Sequence, residues 1–483
     1  MLCYRRHVWM LLLLVTPAAA RAQEPSGLAV AAALEGALVD AIARSEPSVV
    51  AIARVRRPTE DETFKLEFRP DPFGRQPLGP VAPSPTDPDF IPNQYGTGVV
   101  IDRRGLILTA YHLLAEQCDY YVTTHRRKVY RAEVKAADPR SDLAVLQIEA
   151  TDLEPIAFGD GDALKKGQLV LTLGNPHAIA RDGQVCAGWG IVSNLGRKAP
   201  PISTDAGISD KPTLHHYGTL VQIDARLNLG VSGGPLLNLD GRMVGLCVAL
   251  AAKAGYEQAA GYAIPVDATF RRAVDRLKDG REVEYGFLGV QPENLDAKEV
   301  LAGSQGVRVR QVVRGTPADE AGLTRDDIIT AVNREPIHDS DALVREVGRL
   351  PVEAVAEVAL VRRGRNRTVD VTLTKYPVAG KKMITNPEPA WRGMRVDYST
   401  AWVDPSRPSR PRLGFYGAGV VVTEVEQGSP AWQSGLRHGM LITEVGRTEV
   451  RTPKQFHAAV DQQRGPVVVH LGDGADPAVR VVP

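Results

Sequence analysis

Residues 317–332, running from Pro317 through Gly322 and Leu323 to Ile328, Ile329, Thr330 and Val332, recur at 430–445 as Pro430, Gly435, Leu436, Leu441, Ile442, Thr443 and Val445. Two copies of roughly 90 residues are too few to stack into a solenoid, so the repeat reads as tandem domains. Each copy predicts a short helix ended by Gly, a turn, an apolar strand and a later helix, over 341–350 and 453–463. A chain of 483 residues exceeds what one core supports. At roughly 100 to 200 residues per domain, about three units are expected, with a larger one ahead of the repeats.

The upstream part carries residues suited to nucleophilic chemistry. Gly230-Val231-Ser232-Gly233-Gly234-Pro235 sets a serine among small residues, directly before the apolar Leu236-Leu237. Glycines there allow a sharp turn, so a hydroxyl projects outward while neighbouring N–H groups converge on one point. A Ser/Gly loop alone is more often a plain turn. A base and an orienting acid are needed, and both have candidates. Residues 96–102 and 105–110 read as two strands ending at Tyr111-His112, which leaves an imidazole half exposed at a strand end. Asp142 stands immediately before the buried strand Leu143-Ala144-Val145-Leu146, aimed toward His112. Each residue by itself is usually structural. His, Asp and Ser each at the edge of a β run form a less accidental set.

On these blocks the chain resembles the HtrA/DegP-type trypsin-like serine proteases. The matching residues are Gly96 to Gly98, Thr109 to His112, Ser141 to Leu146 and Gly230 to Pro235. Gly174-Asn175-Pro176, Gly190 to Ser193 with Leu195 to Arg197, and Gly261 to Pro265 also match. The resemblance implies a mainly β fold: a chymotrypsin-like double β-barrel over 28–278, then two α+β PDZ domains at 284–376 and 390–483, joined by a linker at 377–389. It implies His112, Asp142 and Ser232 as the catalytic triad, with no metal and no cofactor. The oxyanion hole is implied in the backbone of Gly230, Val231 and Ser232. Leu227 and Arg226 are implied at the specificity pocket, which would favour small aliphatic side chains with Arg226 pointing out. In the first PDZ domain, Gly286, Phe287, Leu288 and Gly289 match the loop whose N–H groups capture a peptide carboxylate beside a strand edge. The second copy has only Arg392 to Val396 there, a weaker match. Unfolded or misfolded proteins as substrates, C-terminal peptides at the first PDZ domain and a homo-oligomer of trimers or larger cages follow from the same resemblance. A non-proteolytic chaperone or scaffold and a narrow processing protease are the rival readings.

The chain departs from the family pattern at Val231, where Asn is usual, at Arg226 to Leu229, and at Ala110-Tyr111. A β-branched Val231 restricts the backbone flips that open and close such a hole.

Composition limits partners and compartment. The 58 basic against 57 acidic side chains leave no electrostatic footprint for nucleic acid. Arg5-Arg6-His7, the apolar run Val8 to Val15 and Ala20-Arg21-Ala22 read as a signal peptide over 1–22, too short for a permanent membrane span. A periplasmic or secreted chain follows. It retains Cys118, Cys186 and Cys247, an odd number read mainly as core thiols. Residues 28–44 predict a helix, and the Pro- and Asp-rich 57–94 a long functional or disordered loop. The polar stretch 198–216, including His215-His216, reads as a solvated loop rather than a metal site, since no partner has ligand spacing.

Overall fold

The computed structural model describes residues 27–57, 92, 94–175, 184–199, 202–203, 209–248, 261–402, 417–472 and 479–483. The signal peptide, nearly all of the 57–94 loop and Pro176 lie outside them.

The first domain begins with helix α1 (Gly27–Ser45) and then two closed six-stranded barrels. Strands β1 (Val49–Arg56), β2 (Gln94–Asp102), β3 (Leu106–Ala110), β4 (Cys118–Thr123), β5 (Val129–Asp138) and β6 (Leu143–Ile148) run in the order β5-β4-β1-β2-β3-β6 and close by β5–β6 pairing. The second barrel uses β7 (Leu169–Gly174), β8 (Cys186–Arg197), β9 (Leu220–Ile223), β10 (Pro235–Leu237), β11 (Met243–Val248) and β12 (Gly261–Pro265) in the order β9-β12-β11-β10-β7-β8. Closure removes most free edge from a sheet this rich in Val, Ile and Leu, leaving the end of β5 that runs past its pairing with β4. Val99, Leu108, Leu143, Val145, Leu171, Leu173 and Leu246 fill the shared core. Helix α2 (Ala268–Lys278) is started by Asp267, whose carboxylate accepts the Phe270 N–H at 2.7 Å, and lays Phe270, Ala273, Val274 and Leu277 on that core.

The two repeats have separate cores and the same five-strand order. In the first, strands Val290–Asn294, Val307–Val312, Ile328–Val332, Val355–Arg362 and Arg365–Thr372 form one sheet, with Val290–Asn294 at an edge. Helices α3 (Ala297–Leu301), α4 (Pro317–Glu320) and α5 (Ser340–Arg349) complete it. The second repeats this with Met394–Tyr398 at the edge and helices α6 (Pro430–Gln433) and α7 (Pro453–Asp461). At equivalent positions Gly289 (φ +88°) presses on the Thr316 side chain and Gly393 (φ +81°) on Ser429, so any Cβ is excluded at this bend in both copies.

Three expectations are corrected by the fold. The 377–389 segment is more than a spacer: Met383–Ile384 adds to the first barrel, pairing antiparallel with Ala136 and Ala137 of β5. The 198–216 stretch is not solvated throughout, because it ends in a 3-10 turn, Leu214–Tyr217, with His215 and His216 buried. The turn is pressed into the protein by α5 of the first repeat, where Lys198 and Lys211 reach Asp341 at 2.7 Å each and Arg345 Nη1 donates to the Tyr217 carbonyl at 3.3 Å. Cys186 is not a core thiol; it stands exposed at the start of β8, whereas Cys247 is buried and its thiol is pushed up to about 12 by burial. All three cysteines are free.

Candidate active site

Strand β3 delivers Thr109 and Ala110 to the barrel rim, and the chain leaves it in the 3-10 turn Tyr111–Leu113, which presents His112 with its side chain 19% exposed. Leu113 packs where Gly96 has no side chain, since a Cβ there would come within 2.3 Å of Leu113 Cδ1. Asp142 closes the β5–β6 connection with φ +57°, a conformation Asp tolerates better than most residues. That bend turns both carboxylate oxygens to His112: Oδ1 accepts the His112 backbone N–H at 2.9 Å and Oδ2 lies 2.8 Å from Nδ1. The Asp142 carbonyl also accepts the Tyr111 N–H at 2.9 Å. Burial pushes the Asp142 carboxyl up, but attraction to and hydrogen bonds from His112 outweigh it and hold the group below its ordinary value. An ionised carboxylate only accepts, so in this pairing His112 Nδ1 carries a proton.

The Ser232 loop reaches the same rim through Thr97. The Thr97 N–H donates to the Ser232 carbonyl at 2.9 Å, and the Thr109 hydroxyl donates to the Thr97 carbonyl at 2.8 Å. Gly230 (φ +97°) and Gly233 (φ +86°) make the turn; a Cβ on Gly233 would sit 2.1 Å from the Thr97 carbonyl oxygen. Val231 is buried, its Cγ1 against Gly174, which accounts for an apolar side chain before the serine. Of the two residues expected at the specificity pocket, Arg226 is exposed and Leu227 is half-buried against Gly261 and the second-barrel core.

Two groups beside this site are given no role by the sequence: Thr97, which lies inside the Gly96–Gly98 block, and His215. His215 is 2% exposed, with Nε2 3.1 Å from the Ser141 carbonyl and Nδ1 3.3 Å from Thr219 Oγ1. Burial lowers its pKa to about 4, against the raising influence of the nearby Asp142. A depressed histidine pKa means the unfolded chain binds the extra proton between pH 6.5 and 4, so stability is full above about 6.5 and declines as pH falls toward 4. The full effect is about 3 kcal/mol. Urea unfolding of the protease domain should show this decline, and His215→Gln should flatten it.

In the first repeat, Gly286-Phe287 pairs with Thr374-Lys375 and the Gly286 N–H donates to the Leu350 carbonyl at 2.9 Å. Phe287 stacks edge-on to Tyr376 at 5.9 Å, and the Leu288 side chain enters the domain core. The loop therefore opens beside the free edge of Val290–Asn294, with Gly286 already engaged elsewhere.

Residues 96–246 match the family model of the trypsin-like peptidase domain, and residues 286–373 and 421–471 match PDZ domain models. A DegP-like periplasmic serine endoprotease of Hahella chejuensis is 30% identical over 439 residues, covering 87% of each chain. The chain belongs to the DegP-like serine endoproteases. A relative of the same name from Pseudomonas fulva is 34% identical over 368 residues, 75% of this chain and 72% of that one. Another from Chlamydia trachomatis is 30% identical over 390 residues, covering 79% and 72%. Among solved structures, the HtrA-type protease AlgW with a decapeptide shares the fold at a TM-score of 0.51 and 23% identity, covering 70% of this chain and 99% of that one. The protein is thus a periplasmic serine endopeptidase with a mainly β, double-barrel protease domain and two PDZ domains. No helix among the described residues is long and apolar enough to cross a membrane.

Proposed function

We propose that this protease degrades unfolded or damaged proteins of the periplasm, with Ser232 as nucleophile, His112 as general base and acid, and Asp142 as its orienting partner. The observation that carries this reading is the two-point Asp142–His112 pairing at the rim where Thr97 and Thr109 also anchor the Ser232 loop. Ser232 Oγ attacks the scissile carbonyl while His112 Nε2 takes its proton and then delivers it to the leaving amine. The Gly230 and Ser232 N–H groups receive the developing oxyanion, with Val231 supplying only backbone between them. Leu227 against Gly261 leaves room for small aliphatic side chains, and the exposed Arg226 adds no charge to the pocket. C-terminal peptides add as a strand to the Val290–Asn294 edge, with their carboxylate at the Phe287–Gly289 loop. The packing of α5 on the 214–217 turn offers a route by which such binding regulates the protease. The working form is a homo-oligomer, a trimer or a multiple of it.

Digestion of reduced casein by the purified mature enzyme, alongside labelling by a fluorophosphonate, tests this. Many cuts and a label on Ser232 are expected. Neither turnover nor label, even with candidate C-terminal peptides added, would establish the chaperone or scaffold reading; one cut in one folded protein would point to a processing protease.

A further inference from the structure

We propose that Thr97 is a positioning residue for the oxyanion hole, acting as one clamp on both ends of the Gly230–Ser232 segment. This rests on the reading of Ser232 as nucleophile.

Thr97 is fully buried on β2. Its hydroxyl donates to the Gly230 carbonyl at 2.6 Å and accepts the Asn175 N–H at 2.9 Å, which uses its single proton and one lone pair in a defined sense. Its backbone N–H donates to the Ser232 carbonyl at 2.9 Å. Its carbonyl accepts the hydroxyl of Thr109, three residues before His112. The donors of the hole are the N–H groups of Gly230 and Ser232, and Thr97 holds the carbonyl of each of these two residues. Fixing a carbonyl fixes the peptide plane that follows it. Gly230 is the residue with the least intrinsic restraint, because it has no Cβ and lies at φ +97°. The Thr97 hydroxyl fixes the Gly230–Val231 peptide plane, so the Gly230 N–H is held from that fixed plane through the φ and ψ of Gly230 alone. Val231 alone does not supply this restraint, since its side chain contacts Gly174 and leaves the Gly230 carbonyl to Thr97. Gly233 is required for the same reason, since a Cβ on it would sit 2.1 Å from the Thr97 carbonyl oxygen; one on Gly234 would meet the Leu173 carbonyl oxygen at 2.3 Å before it reached Thr97 Cγ2 at 3.2 Å. The flanking Gly96 and Gly98 let the strand approach, with a Cβ on Gly98 meeting Ile107 Cγ2 at 2.6 Å. The alternative of a Ser or Thr serving only to fill space would need no polar partners, whereas each polar atom of Thr97 is used and three of the four bonds go to the segments that build the hole and the base.

The test compares Thr97→Val, which keeps the shape and loses the hydroxyl, with Thr97→Ser, which keeps the hydroxyl. Three quantities are read on the full mature chain: kcat and KM for a small peptide ester or anilide, the affinity of a peptide boronate that forms a tetrahedral adduct, and the affinity of an uncleaved product peptide. Removing a direct oxyanion donor costs about 100-fold or more in kcat, so loosening one through its neighbour should cost about 10- to 100-fold. Thr97→Val is expected to lose that factor in kcat and the same factor in boronate affinity, with KM and product affinity nearly unchanged, and Thr97→Ser to regain most of both. Should Thr97→Val fail to fold, Thr97→Cys, with its weak donor, takes its place and is expected between Val and wild type. Unchanged kcat in Thr97→Val, equal losses of boronate and product affinity, or a Thr97→Ser variant as impaired as Thr97→Val would each overturn the proposal. A wild-type enzyme that takes no fluorophosphonate on Ser232 would instead remove the reading on which it stands.

Discussion

Ser232→Ala is expected to lower kcat on an unfolded protein by about a million-fold, and adding Asp142→Asn to that variant should change almost nothing further. On the proposed mechanism the two residues act through the same proton. Asp142 holds the His112 tautomer by accepting at both the backbone N–H and Nδ1, and that tautomer matters only while a serine hydroxyl is there to be deprotonated. Asp142→Asn by itself should cost about 10,000-fold, because an amide NH₂ turned toward Nδ1 stabilises the tautomer with its proton on Nε2, which is the wrong one for a base. Both variants should keep the fold, since Ser232 is tied in through its carbonyl and the Asp142 carbonyl, which takes the Tyr111 N–H, is untouched by the change. Single-turnover hydrolysis with far-UV circular dichroism as control checks this. Independent, additive losses from the two substitutions would show that they do not serve one proton transfer.

Lys375→Met should destabilise the junction between the two PDZ domains by about 3 to 5 kcal/mol, the range found when one partner of a buried ion pair is removed. Lys375 is 3% exposed, with Nζ 3.0 Å from Glu282, 3.3 Å from Glu284 and 2.7 Å from Asp397. These carboxylates come from the segment entering the first PDZ domain and from the edge strand of the second, so one ammonium joins separate units. Burial alone would push the Glu282 carboxyl up, yet Lys375 and Lys382 hold it down to about 2. A carboxyl with a lowered folded pKa contributes stability that is present above about 4.5 and lost as pH falls toward 2. In Lys375→Met the carboxylates face one another without that charge, and protonation should relieve them. Limited proteolysis within 376–394 and the urea midpoint should therefore reveal a loosened second PDZ domain at pH 7 that tightens again near pH 4.5. A variant as resistant as wild type at pH 7 would mean that the hydrophobic contacts of the junction hold it without the ions.

Much of this protein follows from local pattern. Small residues around Ser232 require a turn, His112 ends a β run, and Asp142 precedes one, so their place at strand edges is a matter of chain stereochemistry that any reading of the sequence meets. The repeat likewise announces itself, because each copy must rebuild the same apolar strand and Gly-ended helix to bury its own core. Gly289 and Gly393 repeat for the same steric reason. Other features have no local cause. Thr97 lies in the Gly96–Gly98 block, but nothing local shows what its hydroxyl meets, and that hydroxyl acquires its partners only when β2 lies against the 174–175 and 230–232 loops of the other barrel. His215 reads as polar and solvated until α5 of the first PDZ domain covers its turn. Met383–Ile384 reads as linker, since two residues carry no periodicity, and becomes a strand because β5 offers unpaired backbone groups at that edge. Sequence alone thus determined which groups can do chemistry and where the chain must bend or bury a face, because those depend on a residue and its near neighbours. Tertiary structure decided which distant backbone and side-chain groups satisfy one another, because a buried polar atom takes whatever partner the packing brings within hydrogen-bond reach.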